Sequence, residues 1–210
     1  GAVTYNVYTQ GALTLQVANT VGGPTPASLN LSDLNGSSGF RLDGEAGGDR
    51  SGHSVSSAGD VNGDGYDDLI IGAPYADAGT GSMRGSSYVV FGGAADTGAT
   101  VNLSTLDGTN GYRLDGEVNT DTSGYSVSSA GDVNGDGYDD LVIGARFADP
   151  NESFSGSSYV VFGGAATTGA IVNLSSLDGT NGFRLDGGEL GAVSGYSVSS
   201  AGDVNGDGYD

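Results

Sequence analysis

The string SVSSAGDVNGDGYDDL at residues 54–69 recurs unchanged at 126–141, and its first fourteen residues recur at 197–210. Asp60, Asp132 and Asp203 are equivalent, which gives steps of 72 and 71 residues. Other markers keep the step: Phe40, Tyr112 and Phe183; Gly52, Gly124 and Gly195; Tyr88 and Tyr159. Self-similarity at a fixed period marks a repeat architecture, in which each unit buries its apolar face against the next. Counted from its first shared Asn, the unit runs over 30–101 and 102–172, followed by an incomplete copy at 173–210. That last copy stops inside the motif, so the sequence reads as a segment of a longer chain. Residues 1–28 lie outside the repeat. There, Val3, Tyr5 and Val7, then Leu13, Leu15 and Val17, alternate around Thr9-Gln10-Gly11 as a β-hairpin, with 20–26 as a linker.

Within a unit the punctuation is Gly-rich and the apolar runs are short. In the second copy they fall at 111–114, 125–130, 141–144 and 159–162, with no helical period. Four antiparallel strands per unit of about 72 residues make an all-β chain of β-propeller blades, since solenoid units are shorter. The composition agrees. Gly is 41 of 210 residues, and 36% hydrophobic content with 11 Tyr and 6 Phe supplies a core.

The formal charge is −20, with 26 acidic residues against 6 Lys and Arg, which argues against nucleic acid and anionic membrane surfaces as partners. There is no Cys, so disulfides, thiol catalysis and thiolate metal sites are excluded. No apolar run approaches the roughly 20 residues that cross a bilayer, so membrane insertion is not expected. Eleven of the 26 acids sit in the three loops of the motif, which is a ligand pattern more than a solvated face.

In loop 60–68, DVNGDGYDD, oxygen side chains fall at positions 1, 3, 5 and 9, with Gly at 6 where the chain turns sharply. The reading is a calcium cage: side-chain oxygens of Asp60, Asn62, Asp64 and Asp68, the carbonyl of Tyr66, and water. The second copy offers Asp132, Asn134, Asp136, Tyr138 and Asp140. The third offers Asp203, Asn205, Asp207 and Tyr209 without a ninth position, and should bind weakly. An EF-hand wants a bidentate Glu at position 12, where these loops have Ile71 and Ile143, so they are not EF-hands. Asn-Gly and Asp-Gly turn by themselves; three spaced carboxylates exceed what a turn requires. Magnesium is disfavoured, because a flexible loop rich in protein oxygens suits the larger ion.

At this point the residues resemble the FG-GAP repeats of integrin alpha-subunit propellers and of related bacterial secreted or surface proteins, over about 30–210. The first family marker corresponds to Ser51-Gly52, Ser123-Gly124 and Ser194-Gly195. The second is intact at Gly72-Ala73-Pro74 and altered at Gly144-Ala145-Arg146. The resemblance implies a seven-bladed parent propeller, here incomplete, with calcium on its lower face. It also implies an extracellular or cell-surface location and adhesion or recognition of a protein or glycan ligand through loops.

His53 is the only His and takes the place of Tyr125 and Tyr196, as a ring filling the same slot. With no second His, no Cys, no GxSxG and no HExxH, a nucleophile would lack its usual base, so no catalytic residue is assigned. Asn30, Asn102, Asn151 and Asn173 begin Asn-x-Ser sequons; three recur at one repeat position, which shared ancestry explains. Arg41, Arg113 and Arg184 read as structural partners of Asp43, Asp115 and Asp186. The leading function is a non-catalytic, calcium-rigidified recognition scaffold. The alternatives are the propeller domain of a larger phospholipase-like hydrolase and a structural spacer. About two and a half units fall short of the four blades of the smallest propellers, so an open arc prone to self-association is expected.

Overall fold

The computed structural model describes residues 7–10, 13–16, 30–36, 38–77, 82–93, 98–164 and 169–210. The expected linker at 20–26 lies outside the described residues. The chain is all-β with short 3₁₀ turns. Its strands are β1 (Val7–Gln10), β2 (Leu13–Gln16), β3 (Phe40–Asp43), β4 (Ser54–Gly59), β5 (Asp68–Ala73), β6 (Ser86–Val90), β7 (Thr100–Asn102), β8 (Gly111–Asp115), β9 (Ser123–Gly131), β10 (Asp140–Ala145), β11 (Ser157–Val161), β12 (Ile171–Asn173) and β13 (Gly182–Asp186).

They form three blades, ordered β1-β2-β3-β7, β4-β5-β6-β8-β12 and β9-β10-β11-β13. The second holds four antiparallel strands, β4, β5, β6 and β8, with β12 added in parallel on its outer edge, Ile171 opposite Arg113. The same parallel addition joins β7 to β3. These three-residue strands escaped the sequence reading, being shorter than a period-2 signal needs. Each leads into a 3₁₀ turn. At Leu103–Thr105 the Asn102 side chain accepts from the Ser104 amide and hydroxyl, which is a structural employment for a sequon Asn.

The blades and the sequence units are out of phase. β8, the first strand of the unit written from Asn102, pairs with β6 of the unit before it, Val89 opposite Tyr112, and β13 closes the third blade on β11 in the same way. The hairpin at the start is also not a separate piece, because β2 pairs with β3, Leu15 opposite Arg41. A periodic string carries a period but no origin, and hydrogen bonding supplies the origin.

The middle blade is covered on both faces, so β5 and β6 are buried at every position. Alternate residues serve opposite neighbours. Leu69, Ile71 and Tyr88 pack with Leu42 of the first blade, while Ile70, Val89 and Leu114 pack with Val127, Leu141 and Ile143 of the third. A two-sided strand of this kind reads as a continuous apolar run, as Leu69-Ile70-Ile71 does, and burying one such side chain contributes about 1.5–3 kcal/mol. The two glycine markers meet at this contact. A Cβ on Gly72 would run into the carbonyl oxygen of Gly124, and one on Gly144 into that of Gly195. The motif glycines are the close approach of successive blades. Strand serines sit alongside, with the Ser54 hydroxyl accepting from Val127 N at 3.1 Å and Ser126 from Val198 N at 3.0 Å. Arg146 leaves its turn unchanged: Ala148 N donates to Ala145 O at 3.1 Å, as Ala76 N does to Ala73 O at 3.0 Å.

Candidate functional site: the acidic loops

Two of the loops join the first two strands of a blade at one end, loop 1 (60–68) between β4 and β5 and loop 2 (132–140) between β9 and β10. Loop 1 is built on a ladder of side-chain acceptors. Asp60 Oδ1 accepts the amides of Gly63 (2.8 Å) and Asp64 (3.0 Å), and its Oδ2 that of Gly65 (2.9 Å). Asn62 Oδ1 accepts from Asp64 N and Asp64 Oδ1 from Tyr66 N, both at 2.9 Å, while Asn62 Nδ2 donates to Asp64 Oδ2 at 3.0 Å. Loop 2 repeats the ladder with Asp132, Asn134 and Asp136. So does loop 3 (203–210), with Asp203, Asn205 and Asp207. The alternating acceptors bend the chain back upon itself, a local consequence of Asx turns.

The ninth residue is held differently. Asp68 is 3% exposed, and its two oxygens accept the amides of Val61 (3.0 Å) and Gly92 (2.8 Å). Burial pushes its carboxyl up to about 7 against those two amides, with Asp64 and Asp60 adding to the rise. Asp140 repeats the arrangement through Val133 and Gly163, its carboxyl raised to about 6 by burial. In loop 3, which is exposed, the amide of Gly208 and then those of Gly206 and Asp207 hold the Asp203 carboxyl below its usual range.

An ionised carboxylate has about four lone-pair sites. Asp60 uses three of them on amides, Asp68 two, and the Asn62 oxygen one of its pair, so each keeps capacity toward a cation. Among the described residues no group of three or more His, Cys, Asp or Glu side chains is placed to hold a metal ion. A cage at loop 1 would draw on the Asn62 amide oxygen and the Tyr66 carbonyl beside the carboxylates. Hard oxygens of mixed charge suit calcium over zinc.

The eighth position, absent from the sequence-derived ligand set, proves to be a link between loops. Asp139 Oδ2 accepts Asp60 N at 2.8 Å, and Asp139 N donates to Asp60 O at 3.2 Å. Asp210 meets Asp132 in the same way at 3.3 and 3.4 Å. Tyr138 lies over Gly63 of loop 1, where a Cβ would stand 2.5 Å from the ring, and Tyr209 covers Gly135 likewise. The available signal was the doubled Asp67-Asp68 and Asp139-Asp140, one Asp more than a nine-position cage uses.

The other recurring polar residues are structural. Arg41, Arg113 and Arg184 pair with Asp43, Asp115 and Asp186 at 2.7, 2.8 and 2.6 Å, as expected. Sequence reading missed Glu45 and Glu117, which cross to the next blade to meet Arg113 and Tyr88, and Arg184 and Tyr159. Beside Glu117 a cleft of about 220 Å³ at the opposite end of β9 from loop 2 is lined by Asp121, Asp149, Tyr159 and Arg184. Burial raises the Asp121 carboxyl to about 6, against the Val118 amide. His53 occupies the ring slot expected of it, 4.6 Å from Tyr125, which lies 5.3 Å from Tyr196.

The second and third blades, each with one acidic loop between its first two strands, define a protein of tandem β-blade repeats. The FG-GAP repeat family model matches residues 51–90 and 123–161. The chain carries FG-GAP repeats at these two positions. Each match opens at a Ser-Gly marker and runs through three sequential strands of one blade, so it follows the phase of the sheets. The chain is 38% identical to integrin alpha pat-2 of Caenorhabditis elegans over 96 residues, 46% of this chain and 7% of that protein. It is 32% identical to integrin alpha-PS2 of Drosophila melanogaster over 137 residues (63% and 9%), and 31% identical to integrin alpha-7 of Mus musculus over 151 residues (71% and 11%). It spans about a tenth of the length of these relatives.

Proposed function

We propose that this chain is a calcium-stiffened part of an extracellular or cell-surface recognition propeller, without catalysis of its own. The observation that carries the reading is the acceptor ladder, drawn by the same residue types in both complete loops and closed by a buried ninth carboxylate. Asp60, Asn62, Asp64, the Tyr66 carbonyl and Asp68 would hold one ion. Asp132, Asn134, Asp136, the Tyr138 carbonyl and Asp140 would hold the second. In loop 3, Asp203, Asn205, Asp207 and the Tyr209 carbonyl would supply the same positions. Burial of Asp68 and Asp140 disfavours their charged forms, and a divalent ion beside them favours those forms again. The ion would so tie the two strands of a blade together. The likeness to integrin alpha chains supports recognition of a protein or glycan by loops, and the repetition of the same residues in the same roles favours a scaffold over an active site, which draws different residues to different tasks.

Calorimetric titration tests this directly. Two calcium ions per chain are expected, with zinc weaker. No uptake, or a preference for zinc, overturns the reading.

A further inference from the structure

We infer that Asp139 and Tyr138 of loop 2 are positioning residues for the ion of loop 1, so that the two loops fill as a coupled pair; this rests on the calcium reading above. Asp60 is the residue on which loop 1 is built, since its carboxylate gathers the amides of Gly63, Asp64 and Gly65. Its own backbone is held from outside the loop. Asp139 grips the amide and the carbonyl of Asp60, Gly164 N donates to Val61 O at 2.7 Å, and the Tyr138 ring covers Gly63. Gly63 has φ +77 and no room for a side chain beneath that ring.

The clasp is threaded through the ligands of the second loop. Asp139 stands between Tyr138, whose carbonyl is the seventh ligand of loop 2, and Asp140, the ninth. An ion drawing those two oxygens together fixes the backbone on both sides of Asp139. The ordering cost of its bond to Asp60 is then already met when loop 1 fills. Coupling between equilibrium sites is reciprocal, so an ion in loop 1 strengthens loop 2 by the same factor.

Calcium titration of the intact chain and its variants decides the matter. D136A removes a ligand of loop 2; it should lose one ion and weaken the remaining site about fivefold or more, the low end of ordinary site–site coupling. D139A should keep both ions with a weaker loop 1. The D136A/D139A double variant should bind at loop 1 no more weakly than D139A alone, because the link is already cut. D139N keeps an acceptor oxygen and should restore most of the affinity, which a nonspecific structural loss would not show. An unchanged loop 1 affinity in D136A, or losses that simply multiply in the double variant, overturns the coupling while the calcium reading stands. A wild-type chain that takes up no ion overturns both. Should D136A fail to fold, D139A against D139N carries the test, and equal affinity of D139A and wild type overturns the inference.

Discussion

Loop 1 and loop 3 carry the same eight residues, DVNGDGYD, and close the same six side-chain hydrogen bonds. Yet Val61 is fully buried and Val204 is 81% exposed. The ladder is a local object, closed by Asx residues upon amides two to five positions on. Burial is not. Val61 belongs to the core shared by the second and third blades, and its amide is held by Asp68, which in turn reaches Gly92. Loop 2 then covers loop 1 with Tyr138 and Asp139. Loop 3 has, among the described residues, no neighbour within 4 Å of a Cβ placed at Gly206. The same peptide is a part of the core in one place and a surface turn in the other.

The comparison breaks first at Asp68. Asp68→Ala would leave the buried amides of Val61 and Gly92 without acceptors, a loss of about 3 kcal/mol, measured by denaturant unfolding with chelator present so that the ion is not counted. A loss below about 1 kcal/mol would mean that the ninth carboxylate holds nothing but its ion. Calcium itself comes next. At a hundredfold excess over its dissociation constant it should stabilise the chain by about 2.7 kcal/mol per site bound only in the native state, so EGTA should lower the melting temperature by roughly 5–10 °C for each site it empties. A superimposable melting curve would make the loops passive turns.

One substitution made at two equivalent positions sharpens the contrast. Val61→Ala opens a fully buried site and should cost about 2 kcal/mol, whereas Val204→Ala should stay within about 0.5 kcal/mol. Equal effects would show that loop 3 is covered in solution.

The smallest effect separates the loop end of the blades from the other end. Asp121 has a folded pKa raised to about 6 by burial. The native chain therefore holds more protons than the unfolded one between about pH 4 and 6, and stability falls as pH rises through that window, by at most about 1.4 kcal/mol per pH unit. Asp121→Asn should flatten that slope, with or without calcium, in melting curves taken across the range. A slope unchanged in the variant would assign the effect to other carboxyls.

Much of this was legible in the residues. The step of 72 and then 71 residues, the strands at 111–114, 125–130, 141–144 and 159–162, and the oxygen pattern of the loops all follow from order along the chain. Strands alternate locally, and Asx ladders close within six residues. The Arg–Asp pairs are two residues apart on one strand, so they too were within reach of a reading along the sequence. What tertiary structure alone decided lies between units. It set the phase of the blades, the placing of β7 and β12 in parallel on their outer edges, the reach of Glu45 to Arg113, and the hold of Asp139 upon Asp60 across 79 positions. In a sequence that repeats, every copy offers the same partners at every step, and only packing one blade upon the next selects which copy's Asp meets which copy's amide.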